Sequence, residues 1–138
     1  MSSENSENKA FIKKWNAYVN KKKLPGGSKR VTNDPMEATY IGIKMWAQAA
    51  EQAGTTNVDA VRQAIGGQTV KSPSGFEITM DAKNHHLHKP VVIGEIQEDG
   101  QFEVVWKTKG PIRAKAWSPF IPESAKKSAD WTQPGAGA

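Results

Sequence analysis

Cysteine is absent from the chain, which removes disulfides, thiol nucleophiles and zinc–thiolate centres at once. It does not decide the compartment, since exported proteins also do without it. Long hydrophobic runs are missing too. The longest apolar stretches fall far short of the ~18 residues that cross a bilayer, so no membrane insertion is expected. The start, Met1-Ser2-Ser3-Glu4-Asn5, has neither a basic nor an apolar region and is no signal peptide. As written, the polypeptide is expected to stay in the cytoplasm. There is no Gly-x-Gly-x-x-Gly, no P-loop and no Gly-x-Ser-x-Gly, so nothing points to an enzyme or a cofactor. Acidic residues are outnumbered 14 to 19, a net charge of +5. Spread over the chain, this reads as a solvated surface and not as a nucleic-acid footprint.

What is present suits a soluble domain: 37% hydrophobic and 24% charged residues over 138 positions are enough for one core. From about Glu7 to Lys22 the residues Phe11, Ile12, Trp15, Tyr18 and Val19 recur at helical spacing and predict an amphipathic helix. Lysines 21 to 23 sit where cations suit its last turn, and Leu24-Pro25-Gly26-Gly27-Ser28 ends it. Asp34-Pro35-Met36-Glu37 then reads as a helix start, with Asp34 as N-cap, Pro35 first and Glu37 third in a capping box. The helix that follows, to about Ala53, is apolar almost all round, so it needs neighbours on several sides. A third, shorter helix opens at Thr56-Asn57-Val58-Asp59, is expected to bury Val58, Val61 and Ile65, and stops at Gly66-Gly67.

Beyond this point the period changes from 3.6 to 2. Phe76, Ile78 and Met80 alternate with polar residues as in a half-buried strand. Residues 91–96 and 102–106 flank Glu98-Asp99-Gly100 and predict a β-hairpin. The proline-bearing remainder after Lys109 suits an extended tail laid over a surface.

Three groups of residues invite a chemical reading. Asn84-His85-His86-Leu87-His88 offers three imidazoles, and three histidines can hold a zinc ion. On a strand, however, His85 and His86 would face opposite ways, so a polar connection between strands is the simpler account and no metal site is expected. Asp34 and Glu37 could form an acid pair, but helix capping explains both. Of the five tryptophans, Trp15, Trp46 and Trp106 are expected to pack in the core and not to stack on bases.

Four ordered blocks then resemble one family. They are Val31-Thr32-Asn33-Asp34-Pro35-Met36-Glu37-Ala38-Thr39-Tyr40-Ile41-Gly42, the segment 53–62, Met80-Asp81-Ala82-Lys83-Asn84-His85-His86-Leu87, and the segment 93–102. Together with Ala129-Asp130-Trp131 they are similar to the urea-binding subunit of bacterial ABC transporters, from about Asn5 to the end. The resemblance implies an α/β fold, a type I periplasmic binding protein related to leucine/isoleucine/valine-binding and amide-sensing proteins. In that fold two Rossmann-like lobes close on a small ligand.

On that pattern the chain is a C-terminal fragment of three helices, then a strand and a β-hairpin. Residues 1–80 would be the end of the first lobe, and residues 81–138 the final crossover, a second-lobe hairpin and the tail. The partners of the over-apolar helix would be parallel strands outside this segment.

The resemblance further implies a periplasmic parent that binds urea or a short-chain amide and delivers it to a membrane permease, with no covalent chemistry. Most ligand contacts would lie outside this segment. Glu37 and Tyr40 are the candidates within it, because a carboxylate accepts amide N–H groups and a phenol donates to a carbonyl. The fragment alone is expected to bind ligand negligibly. A stand-alone module that self-associates through its apolar helix is the alternative.

Overall fold

The computed structural model describes residues 5–126; the Ala129-Asp130-Trp131 block and Pro134 lie outside them. Three helices lead into two small antiparallel sheets. Helix α1 spans Ser6–Lys22, α2 Asp34–Ala53 and α3 Val58–Ile65. Strands β1 (Thr69–Lys71), β2 (Glu77–Met80) and β3 (Leu87–His88) form one sheet in that order, and β4 (Val92–Ile96) with β5 (Phe102–Lys107) forms a separate hairpin. This is the expected mixed fold of three helices, a strand and a hairpin. The short strands β1 and β3, which sequence periodicity does not predict, complete the first sheet.

Each helix begins at an asparagine whose side chain accepts a first-turn N–H: Asn5 from Asn8, Asn33 from Met36, and Asn57 from Asp59 and Ala60. Such a side chain satisfies one of the orphan donors of the first turn. For α2 this is a correction. Asn33 is the N-cap, so Asp34 and Glu37 are displaced one position into the helix and the capping box does not form. Gly54 ends α2 with φ 64°, a left-handed conformation that favours glycine.

The core is built where one stripe of α2 meets the first sheet. Ile41 and Met45, one turn apart, pack with Val70, Ile78 and Met80, and Ile65, Phe76 and Leu87 close its edge. The alternation in β2 works as expected, with Ile78 and Met80 inward. Helix α1 reaches α2 through Phe11, whose ring lies 5.0 Å from that of Tyr40.

Outside that stripe, α2 is uncovered. Ile43 is 64% exposed and Trp46 about half exposed, so the predicted core position of Trp46 is not realised. Trp106 is also half exposed, on the hairpin, while Trp15 stacks beside Tyr18 and donates to the Arg30 carbonyl at 3.1 Å. Val58, the first residue of α3, is 71% exposed and not buried, while Val61, one turn on, is buried. Among its described residues the tail carries one regular element, a 3-10 turn at Pro122–Lys126.

Candidate functional site

The turn between β1 and β2 is the structural hub. Ser72 N–H donates to the Phe76 carbonyl and Gly75 N–H to the Ser72 carbonyl, each at 2.9 Å, and Gly75 has φ 88°. Two helix N-termini converge on this turn. From α1, Glu7 pairs with Lys71 at 2.5 Å, and Asn5 lies so close that a Cβ on Gly75 would meet it at 3.1 Å. Lys71 holds the Glu7 carboxyl well below the usual carboxylate range, at about 2, helped by the Ser6 hydroxyl. From α2, Glu37 Oε1 accepts the backbone N–H of Ser74 at 2.7 Å.

Glu37 is only 2% exposed. Burying a carboxylate is costly unless charge and hydrogen bonds compensate for the lost water. Here Ser74 N–H satisfies one oxygen, and Lys89 Nζ stands 3.3 Å from the other. Lys89 also pairs closely with the exposed carboxylate of Asp34, one turn earlier on the same helix. The ammonium therefore bridges two carboxylates, one in solvent and one buried.

These groups form the polar floor of a cleft of about 430 Å³. Thr32, Asn33, Asp34, Glu37, Ser74 and Lys89 supply the floor; Pro90, Val92, Gly94, Phe102 and Val104 make the apolar wall. Gly94 sits at an irregularity in the β4–β5 register, where a Cβ would meet Phe102 at 3.0 Å. That close approach leaves little room for a side chain at position 94. A broader trough of about 1030 Å³ adjoins it between the hairpin and Gly75–Phe76, but it lacks the carboxylate–ammonium cluster. An apolar wall with a few convergent polar groups is the form of a small-molecule site, and the smaller cleft has it.

Of the two residues predicted to contact ligand, Glu37 lies in this cleft. Tyr40, three positions on, does not line it: its ring packs on Phe11 and beneath the Lys44 ammonium, 5.2 Å from the centroid. Ser74 and Lys89 escaped sequence reasoning. Ser72-Pro73-Ser74-Gly75 is recognisable as a turn, but nothing local says which carboxylate its N–H will meet.

The histidines are held apart from this cleft by a loop that Asp81 organises. Asp81 Oδ1 accepts N–H bonds from Lys83 and Asn84, at 2.8 and 3.2 Å, and Oδ2 lies 3.1 Å from His88 Nε2. The Lys83 N–H above all, then the His88 side chain, holds the Asp81 carboxyl at about 2. His85 occupies a left-handed turn position with φ 54°, and His86 is exposed beside it. Neither lies on a strand, so the opposed-face argument does not apply to them. Among the described residues no three His, Cys, Asp or Glu side chains converge to hold a metal ion.

A two-sided cleft with a polar floor at a helix start has the form of a binding site. The chain is 35% identical over 115 residues to limonene hydroxylase of Geobacillus stearothermophilus, a match covering 83% of this chain and 21% of that protein. It thus spans well under half the length of this curated relative. Residues 1–123 match the family described as periplasmic binding protein domain. With nearly nine-tenths of its length inside that match, the chain belongs to the periplasmic binding protein domain family.

Proposed function

We propose that this chain is the C-terminal part of the solute-binding component of an ABC-type uptake system, and that its solute is urea or a short-chain amide. The observation that carries this reading is the cleft at the start of α2, where carboxylate acceptors and an ammonium donor share one floor. A neutral amide presents N–H donors and a carbonyl acceptor a few ångströms apart, which such a floor complements. Glu37 is the principal contact proposed within this segment; Tyr40, three positions on, packs against Phe11 outside the cleft. The reading involves binding and release only, with no bond made or broken, and a membrane permease as the receiving partner.

Because the chain spans 21% of its curated relative, the remaining contacts to the solute are assigned to the rest of a longer protein. One face of a cleft cannot replace the hydration a small polar ligand loses. Calorimetric titration with urea, formamide and acetamide tests this, on the 138-residue chain and on a full-length protein containing it. The expected result is no measurable binding by the chain alone, micromolar binding by the whole, and weaker binding in the whole carrying Glu37→Gln. Micromolar affinity in the isolated chain would overturn the division of the site, and a whole protein indifferent to all three would overturn the amide assignment.

The exposed Ile43 and Trp46 favour a second reading, a self-associating module without a transport role. Sedimentation of the chain separates it from the first.

A further inference from the structure

The chain has two acid-free basic stretches, 8–33 and 104–122, and the second also carries an apolar tip. Between Glu103 and Glu123 there is no acidic residue, while Lys107, Lys109, Arg113 and Lys115 all fall there. All four are exposed. Among the ion pairs of the described residues, this stretch contributes one, Arg113 to Asp81 at 3.9 Å, and that guanidinium is itself mostly in solvent.

The same segment ends in an apolar tip. Phe120 N–H donates to the Ser118 hydroxyl at 3.2 Å, and Ile121 N–H to the Ser118 carbonyl at 3.3 Å, so the chain turns at Ser118. Pro119 and Pro122 restrict the backbone on either side of Phe120 and Ile121. Phe120 is 90% exposed, and Ile121 and Trp117 beside it are about half exposed or more. The base of the segment is anchored: Ile112 N–H donates to the Lys89 carbonyl at 2.9 Å, and Asn84 Nδ2 to the Ala114 carbonyl at 3.5 Å. The fold therefore holds a basic strap by its root and leaves an apolar tip in water.

We propose that this segment docks on an anionic phospholipid surface, with Phe120 and Ile121 seated at the boundary of headgroups and acyl chains and the four cations against lipid phosphates. Neither component suffices alone. A few cations near an anionic bilayer give a salt-sensitive attraction, and one apolar tip gives marginal partition; together they make a peripheral anchor. The composition of the tip favours lipid over single-stranded nucleic acid. Bases need several aromatic faces aligned along a basic groove, whereas this tip sets Phe120 and Trp117 among Ile121 and two prolines, which offer bases nothing to stack on. The inference is independent of the solute and of the cleft, and it requires no membrane-spanning helix; none among the described residues is long and apolar enough to be one.

The test is co-sedimentation of the 138-residue chain with vesicles of phosphatidylcholine alone and of phosphatidylcholine with phosphatidylglycerol. The expected result is about tenfold or stronger partition onto the anionic vesicles, abolished at high salt. Phe120→Ser with Ile121→Ser, and separately Lys109→Glu with Lys115→Glu, each reduce it severalfold. All four positions are exposed, so thermal unfolding of both variants stays that of the parent. Equal binding to the two vesicle types, or binding unchanged by the apolar pair of substitutions, overturns the proposal. So does tighter binding to oligothymidylate than to anionic vesicles, which would assign the patch to nucleic acid.

Discussion

Glu37 Oε1 and the backbone N–H of Ser74, 37 positions apart in sequence, meet at 2.7 Å. That single bond ties the start of α2 to the turn of the first hairpin, and it explains why an acid is buried where a helix cap would be exposed. Among the described residues no other helix supplies an acceptor for this N–H.

Removing that acceptor strands the Ser74 N–H and leaves Lys89 with Asp34 as its carboxylate partner. Glu37→Ala is expected to destabilise the chain by about 2–3 kcal/mol, the cost of an unpaired donor and a broken buried ion pair. Glu37→Gln keeps an oxygen for Ser74 N–H and should cost roughly half as much. Guanidinium denaturation of the three proteins gives the comparison. Equal stability of parent and alanine variant would show that the buried carboxylate does not hold the turn.

Acid should unfold the chain in a defined window. Glu7 and Asp81 each have a folded carboxyl at about 2, below the ordinary value, so each favours the folded state when ionised. The sign follows directly: their contribution is complete above the unfolded carboxylate range, about 4 to 4.5, and disappears as pH falls toward 2. Melting temperature is expected to hold steady from neutrality to about pH 5 and then fall. Asp81→Asn, which keeps the acceptor for the Lys83 N–H, should flatten part of that fall. An unchanged melting temperature at pH 2 would contradict both assignments.

Burial separates two residues that the sequence treats alike. Ile78→Ala removes a fully buried side chain from the contact of α2 with the first sheet and should cost about 2–5 kcal/mol. Val58→Ala, at an exposed helix start, should stay within about 0.5 kcal/mol. Parallel thermal melts suffice, and similar losses at both positions would mean that α3 packs differently.

The uncovered face of α2 should be detectable in solution. Ile43 and Trp46, with Ile96, Val105 and Trp106 on the hairpin, leave apolar surface in water where each burial would be worth ~1.5–3 kcal/mol. Concentration-dependent sedimentation and binding of the dye ANS are expected, both reduced by Ile43→Glu with Trp46→Lys. A sharp monomer that binds no dye would show that these side chains need no further cover.

Local patterning is enough to place the three helices, the strand around Ile78 and the hairpin at Gly100. Period, glycine stops and turn residues act over a few positions and can be read directly from them. The same is true of Glu37 as a residue near a helix start, although its place beside a cleft came through family resemblance. Tertiary structure alone decided the rest. Strands β1 and β3, of three and two residues, are too short to show a period and exist because β2 pairs with both. Val58 and Val61 share a residue type, yet only Val61 is buried, which depends on how α3 packs along α2. Asn33 took the cap that Asp34 seemed made for, which freed Glu37 to reach Ser74 and Lys89. Those partners lie 37 and 52 positions away (74 − 37 and 89 − 37), and no local pattern encodes a contact at that range. A buried charge takes whatever donors the assembled fold brings to it, so its role is settled only when the fold closes.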